Sequence, residues 1–499
     1  MAPAVTIVST SPRTGEQRAA FDGASREDVS HAVLLGAAAS DSWAHTPPGR
    51  RAAVLRAAAD ALNSARLDVV RVADFETGLG EPRFQAELDR TILQLRMFAS
   101  FIETGAHAGV IVSPGDPAAS PPRPDMRRLL IPIGTVAVFT PSNFPLAYGV
   151  LGGDTASALA AGCAVVVKGH PSHPHTSDLC ARAFHEAAAA LGAPVGLLSL
   201  LQSGAPEISR ALVEADDVQA VAFTGSQRVG RLLFDVAVSR PRPIPFYGEL
   251  GSLNPLFISE RAAVARRDAI AGGYIASVTG GSGQFCTKPG VVFVPLGAAG
   301  DALVDAMSAE LSGRGPSVLL NAGLGESLRA RVAATSSVAG VSSISAAAPL
   351  PGEGVHAVPQ LFVTSEATFF ANEALRAEHF GPVAIVVRTE ASKMPEAAAR
   401  FDGQLTATIH AEPEDDAWTR ALVRVLMTRA GRLIFNGYPT GLAVVPATTH
   451  GGPYPATTAP LHSAVGTTAI RRFLRPVSFQ AFPDRLLPAE LASPEPRGA

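Results

Sequence analysis

Cys286 lies in the run Gly281-Ser282-Gly283-Gln284-Phe285-Cys286-Thr287 and is one of three cysteines among 499 residues. A thiol attacks a substrate carbon only where side chains leave room for the approach. The charge that then develops on the substrate oxygen needs N–H donors close by. A glycine-rich approach supplies both, although a small buried hydrophobe is the competing reading for any free cysteine. Glu249, in Tyr247-Gly248-Glu249-Leu250-Gly251, sits between apolar residues and glycines. Partial burial there raises a carboxyl toward the range of a general base; a solvated loop glutamate is the alternative. Asn143, in Thr140-Pro141-Ser142-Asn143-Phe144-Pro145, carries an amide that could donate to an oxyanion, though turns also favour asparagine. His170, His173 and His175 are close in sequence, but Pro171 and Pro174 intervene and no cysteine or carboxylate joins them. That pattern reads as a loop, and no metal site is expected.

These residues need a frame, and the hydrophobic period supplies one. From Ser25 to about Glu103 the pattern is helical, with Val54, Leu55, Ala58 and Leu62 on one face and Ile92, Leu93, Leu95, Met97 and Phe98 on another. The Pro-, Ala- and Ser-rich stretch 114–124 reads as a loop. Strands and helices then alternate: strand 136–139, helix 152–161, strand 164–168, helix 176–191, strand 197–202, a helix from 207 and strand 220–223. A second alternating block runs from about 251 to 446, with strands at 291–294, 384–387, 406–409 and 433–435. Alternation with short turns predicts α/β architecture, with parallel sheets that bind ligands at the carboxyl ends of their strands. Lys168 ends one such strand, and Phe223-Thr224-Gly225-Ser226 joins another to a helix start, a natural cradle for phosphate. An edge lysine and an ordinary capped helix are the plainer readings. The run 472–480 is a strand with no partner nearby in sequence.

Composition narrows the class. Apolar residues make up 47% and charged ones 17%, and 46 glycines and 40 prolines provide many turns. No apolar run reaches the roughly 20 residues of a membrane helix, and no secretory signal is visible at the start. A net charge of −3 gives no reason to expect nucleic acid or an anionic membrane as partner. Three cysteines without framework spacing fit a reducing cytoplasm.

Taken in order, Asn143, Lys168, Phe223–Ser226, Glu249, Cys286 and Glu378-His379-Phe380-Gly381-Pro382 resemble the aldehyde dehydrogenase superfamily over residues 20–485. Within it the chain is most similar to the 2,5-dioxovalerate (α-ketoglutarate semialdehyde) dehydrogenases. The phrases Gly152–Gly162, Lys168-Gly169-His170-Pro171, Asn436–Gly441 and His450-Gly451-Gly452-Pro453-Tyr454-Pro455-Ala456-Thr457 carry that similarity. The resemblance implies two Rossmann-like parallel-sheet domains and a small β oligomerisation element. Residues 1–122 and 138–250 would bind the cofactor, 251–446 would carry the thiol, and 123–137 with 465–490 would join subunits into a homodimer or homotetramer. Cys286 would form a thiohemiacetal with an aldehyde, its oxygen held by Asn143 and the Cys286 N–H. Hydride would pass to the nicotinamide, and Glu249 would activate water to release the acid. Thr224, Gly225 and Ser226 would meet the pyrophosphate, Lys168 the adenosine ribose, Glu378 and Phe380 the nicotinamide end.

Where NAD-preferring relatives often carry a glutamate, this chain has Pro171. Without that carboxylate a 2′-phosphate is not repelled, and Lys168, Ser172 or His173 could favour it. NADP is therefore expected over NAD. Phe144, Tyr148, Gln284, Phe285 and Thr440 are expected around the substrate, and the aromatic members would suit an apolar or mixed aldehyde. Leu442-Ala443-Val444 replaces a phrase in which close relatives carry a glutamate, and no arginine stands out in sequence as a carboxylate clamp. Glu249 argues against CoA as the thioester acceptor. Intact Cys286, Asn143 and Glu249 argue against a silent structural relative.

Overall fold

The computed structural model describes residues 6–492. Its centre is a five-stranded parallel sheet ordered Leu198–Gln202, Val165–Gly169, Thr135–Phe139, Val218–Thr224, Phe246–Glu249. Every residue of Thr135–Phe139 and Val165–Gly169 is buried, because helices cover both faces of the sheet. A seven-stranded sheet follows in the order Ser342–Ser345, Gln360–Ser365, Val383–Thr389, Val291–Pro295, Leu256–Ile258, Gln404–His410, Ala430–Phe435. It is parallel except at the edge pair of Ser342–Ser345 with Gln360–Ser365.

The unpartnered run near the end of the chain finds its place in a third sheet. Leu474–Gln480 pairs antiparallel with Met126–Pro132, which also pairs with Ile111–Ser113. Residues 135–137, grouped by sequence with that element, belong instead to the five-stranded sheet. Their side chains are buried, as a strand covered on both faces demands, with the Thr135 hydroxyl meeting Ser40, and Gly134 turns the chain between the two sheets at φ 113°. Two short antiparallel pairs, Ile7–Thr10 with Gln17–Phe21 and Ser317–Val318 with His356–Ala357, had no strand signal in the sequence.

The long helix Glu81–Glu103 matters most for the site. Its apolar face, with Phe84, Leu88, Leu95 and Phe98, enters the core, whereas Leu93 is 53% exposed and not part of it. Beside that face runs a polar stripe of Arg83, Glu87, Arg90 and Gln94 at helical spacing. All four side chains reach the segment 143–148: Arg83 donates to the Asn143 carbonyl, Glu87 accepts from the Leu146 and Ala147 N–H groups, Arg90 donates to the Tyr148 hydroxyl and Gln94 to the Ala147 carbonyl. No helix among the described residues is long and apolar enough to cross a membrane.

Candidate active site

The thiol loop is built from backbone that only small residues tolerate. Gly281, Ser282 and Gly283 all have left-handed φ, of 55°, 59° and 67°. At Gly283 a Cβ would lie 2.1 Å from the Gly381 carbonyl oxygen, so the loop packs directly on the Phe380–Pro382 backbone. Asn254, itself at φ 51°, fixes the far side: its Nδ2 donates to the Cys286 and Lys288 carbonyls at 2.8 and 2.9 Å. Its Oδ1 accepts from Ser252 and Thr406, and the Gln404 side chain accepts from the Leu253 and Asn254 N–H groups. The network is buried and joined at every member, which rigidifies the loop.

Three chemical groups converge on this loop. Cys286 Sγ lies 3.7 Å from His450 Nε2, and His450 Nε2 lies 2.9 Å from Glu249 Oε1. One atom from each of the three residues falls within 4.8 Å of the others. The His450–Glu249 contact is an ion-pair distance without the alignment of a hydrogen bond. His450 occurs in the sequence phrase 450–457, yet nothing in that phrase marked it as a partner of the thiol. It is brought in because the Ala464 N–H donates to the His450 carbonyl, the His450 N–H to Ser463 Oγ, and Thr457 bridges to Glu249.

The charges of the group follow from its burial. Burial and the neighbouring Glu249 push the Cys286 thiol well above its ordinary value, so it rests as a thiol and needs a base. For Glu249 the sequence expectation of a raised pKa is reversed. Burial alone pushes this carboxyl up, but His450 and then Cys286 and Arg90 outweigh it, and the group lies below the usual carboxylate range. It ends the strand Phe246–Glu249 and is only 4% exposed, so it is no solvated loop glutamate.

Asn143 is buried beside the loop, its Nδ2 donating to the Gln284 carbonyl at 2.7 Å. That leaves the second N–H of the amide, and no acceptor for the Cys286 N–H is found among the described residues. Phe144 stacks on Phe285 with centroids 5.5 Å apart, and the Arg83 guanidinium sits 4.9 Å from each ring. Tyr148 meets Phe144 at 5.6 Å and the His450 ring at 6.2 Å. Leu442 and Val444 pack on this aromatic wall, next to Tyr148. Two residues expected around the substrate are engaged elsewhere. The fully buried Gln284 donates to the Val318 carbonyl and accepts from the Leu320 N–H, fastening the loop to that segment. Thr440 exchanges a 2.7 Å hydrogen bond with Ser277 on the helix Arg267–Thr279.

The residues expected at the cofactor line the carboxyl edge of the five-stranded sheet. Lys168, last but one in its strand, is almost wholly buried; burial lowers its pKa to about 8, and among the described residues it forms no ion pair. Thr224 ends the next strand but one, Gly225 donates its N–H to the Glu249 carbonyl at 3.1 Å, and Ser226 caps the helix Gln227–Ser239. Pro171 and Ser172 are half-buried in the following turn, where Ser172 Oγ accepts from Asn321. His173 is not available to a phosphate: it is fully buried, bonded to the Pro141 carbonyl and to Ser177, and it starts the helix Pro174–Ala190. The N-terminus of that helix is already held by the buried Glu76 carboxylate. Glu378 stands against Gly251, where a Cβ would lie 2.7 Å from its Oε2. Burial raises its pKa to about 7, against the pull of Lys288. Lys288, unnoticed in the sequence, holds the Glu378–Pro382 segment by donating to the carbonyls of His379, Gly381 and Val383. A buried, unpaired lysine, a capped helix start and a carboxylate over a glycine fit a dinucleotide spread along this edge.

Comparison with known proteins agrees with this geometry. The model of the aldehyde dehydrogenase family matches residues 2–453. Alpha-ketoglutaric semialdehyde dehydrogenase 2 of Azospirillum brasilense is 41% identical over 98% of this chain and 94% of its own length. Alpha-ketoglutaric semialdehyde dehydrogenase of Acinetobacter baylyi is 37% identical over 95% and 90%. A solved 1-pyrroline-5-carboxylate dehydrogenase from Thermus with bound NAD shares the fold at TM-score 0.83, with 21% identity over 95% of this chain and 90% of that one. With the family model spanning most of its length and the amide and carboxylate gathered around the thiol loop, the chain belongs to the aldehyde dehydrogenase family.

Proposed function

We propose that this enzyme oxidises an aldehyde to its carboxylic acid with water as the final acyl acceptor, preferring NADP to NAD. The observation that carries the reading is the meeting of Cys286, His450 and Glu249 within 4.8 Å. The thiol gives its proton to His450 Nε2 as sulfur bonds to the aldehyde carbon, and Glu249 balances the imidazolium. Asn143 Nδ2 and the Cys286 N–H stabilise the oxyanion of the thiohemiacetal. Bound NAD(P) supplies the hydride acceptor, leaving a thioester on Cys286. Glu249 then takes a proton from water, whose oxygen displaces the sulfur, and the departing thiolate recovers its proton from the His450 imidazolium as the acid is released. Lys168, Ser226 and Glu378 would hold the cofactor at the adenosine ribose, pyrophosphate and nicotinamide ribose. NADP preference is supported by the absence of any carboxylate at Pro171 or Ser172.

Two relatives at 41% and 37% identity bear the name of α-ketoglutaric semialdehyde dehydrogenase, which supports a semialdehyde as substrate. The exposed apolar Ile111 and Val112 on the third sheet, with Phe482 just past its last strand, support subunit pairing there, as a homodimer or homotetramer. NADP reduction followed by absorbance with a panel of aldehydes, without CoA, tests the reaction. Cys286→Ala should abolish the signal, and Glu249→Gln should give a burst of reduction without steady turnover. Steady turnover in either variant, or an absolute requirement for CoA, overturns the proposal. A KM for NAD at or below that for NADP overturns the cofactor preference.

A further inference from the structure

Three atoms with lone pairs crowd together at the thiol. Cys286 Sγ, His450 Nε2 and a carboxylate oxygen of Glu249 all fall within 4.8 Å of one another. His450 Nε2 stands 3.7 Å from the sulfur and 2.9 Å from Glu249 Oε1, the latter without hydrogen-bond alignment. Glu249 is 4% exposed, and neither of its oxygens receives a hydrogen bond among the described residues, so both keep lone pairs to offer. Among the described residues no other trio of histidine, cysteine and acidic side chains comes so close.

Sulfur, imidazole nitrogen and carboxylate oxygen are the donors that a thiophilic, four-coordinate cation takes. Zinc binds thiolate sulfur at about 2.3 Å and the other two donors at about 2.0 to 2.2 Å, so tetrahedral ligand atoms stand about 3.3 to 3.6 Å apart. The sulfur-to-nitrogen distance is already close to that range, and the nitrogen-to-oxygen distance needs only a small opening. The tautomer whose Nε2 lone pair takes the thiol proton presents the same lone pair to a metal. Thiolate and carboxylate together cancel the charge of a divalent ion, and a fourth position is left to water. Arg90 acts on both acidic groups. It opposes a free cation, yet it favours the thiolate and carboxylate that a bound one needs. Cys286 is the half-buried member of the trio, so an ion arrives through the opening at the sulfur.

We propose that Cys286, His450 and Glu249 form an inhibitory site for a thiophilic divalent cation, zinc above all, which caps nucleophile and base at once. As the ion bonds to sulfur, the thiol proton passes to solvent, and nothing is oxidised. The enzyme is thereby switched off reversibly, and a chelator restores it. Magnesium and calcium are poor occupants, because they call for shells built of oxygen and this trio offers one carboxylate. The site stands on the placement of the three donors and not on the reaction proposed above, so either can fail without the other.

The test uses the full-length enzyme, chelator-washed and kept reduced, without aldehyde or cofactor. Titration of zinc in competition with a chromophoric chelator should show one ion bound per subunit. Cobalt(II) in place of zinc should give the visible bands of a four-coordinate ion and a near-ultraviolet charge-transfer band from thiolate sulfur. Cys286→Ser and His450→Ala should each weaken zinc by at least about 100-fold, since losing a group that merely orients a ligand already costs about 10- to 100-fold. Glu249→Gln should weaken it in the same direction. NADP affinity, measured by fluorescence titration, reports whether each variant is folded. In the wild type zinc should slow alkylation of Cys286 by iodoacetamide and raise the apparent KM for an aldehyde. Edetate should reverse both effects, and magnesium at the same concentration should produce neither. Zinc held undiminished by Cys286→Ser and His450→Ala lies elsewhere, which overturns the site. A cobalt spectrum without the sulfur band, or equal protection by magnesium, overturns it as well. A wild type that binds zinc through sulfur yet is inert toward every aldehyde keeps the site and removes only the oxidation.

Discussion

The His450 imidazole and the Glu249 carboxylate form a buried pair, Nε2 to Oε1 at 2.9 Å, with the same nitrogen facing the Cys286 sulfur at 3.7 Å. The one nitrogen faces both neighbours, which links activation of the thiol to the state of the base. Replacing His450 with Ala should slow alkylation of Cys286 by iodoacetamide and lower kcat by about 10²-fold, the scale of losing a general base. The pH profile should move as well. In the wild type Glu249 is held below the ordinary carboxylate range by His450, so its ionised form, and the stability it contributes, are lost only as pH falls through that depressed value. Without His450, burial dominates and the acid limb of deacylation should shift upward. An unchanged acid limb in His450→Ala would refute the pairing.

Glu378 gives a second pH-dependent reading. Its carboxyl is raised by burial to about 7. An acid with a raised folded value stabilises the protein below its unfolded value and loses that contribution as pH rises through about 7. Its ionised form is also the better acceptor for ribose hydroxyls. NADP should therefore bind more weakly as pH falls from about 8 to about 6, and Glu378→Gln should bind weakly at both, as titration of cofactor fluorescence would show.

Pro171 sets a third expectation. Pro171→Glu places a carboxylate in the turn after Lys168, where a 2′-phosphate would be repelled. The NADP-to-NAD ratio of kcat/KM should fall by about tenfold or more, since like-charge juxtaposition costs over 1 kcal/mol. A ratio unchanged from the wild type shows that the 2′ position is read elsewhere.

The thiol loop itself predicts a stability effect. Gly283→Ala puts a Cβ 2.1 Å from the Gly381 oxygen at a φ of 67°. The strained backbone and the clash together should cost at least about 2 kcal/mol, visible as a lower Tm. Turnover should fall with it, because the backbone beside Cys286 must shift.

Much of the frame was legible because buried parallel strands advertise themselves. Val165-Val166-Val167 and Val291-Val292-Phe293-Val294 are continuous apolar runs, and the helices between them keep their period. The three-residue strand Leu256–Ile258 and the exposed Gln17–Phe21 offered no such contrast. The site was legible by residue type at Cys286, Asn143 and Glu249. Its electrostatics were not, since the pKa of Glu249 depends on a histidine some two hundred positions later in the chain. Arg90 was hidden for a different reason. Attention to the apolar face of its helix passes over the stripe of Arg83, Glu87, Arg90 and Gln94, whose i, i+4, i+7 and i+11 spacing was present all along.

His450 follows Cys286 by 164 positions, and it is seated by contacts with residues 457 to 464. During synthesis the cysteine therefore leaves the ribosome well before the imidazole proposed as its base. In that mechanism the thiol gains its base only when residues as far along as 464 have folded around it.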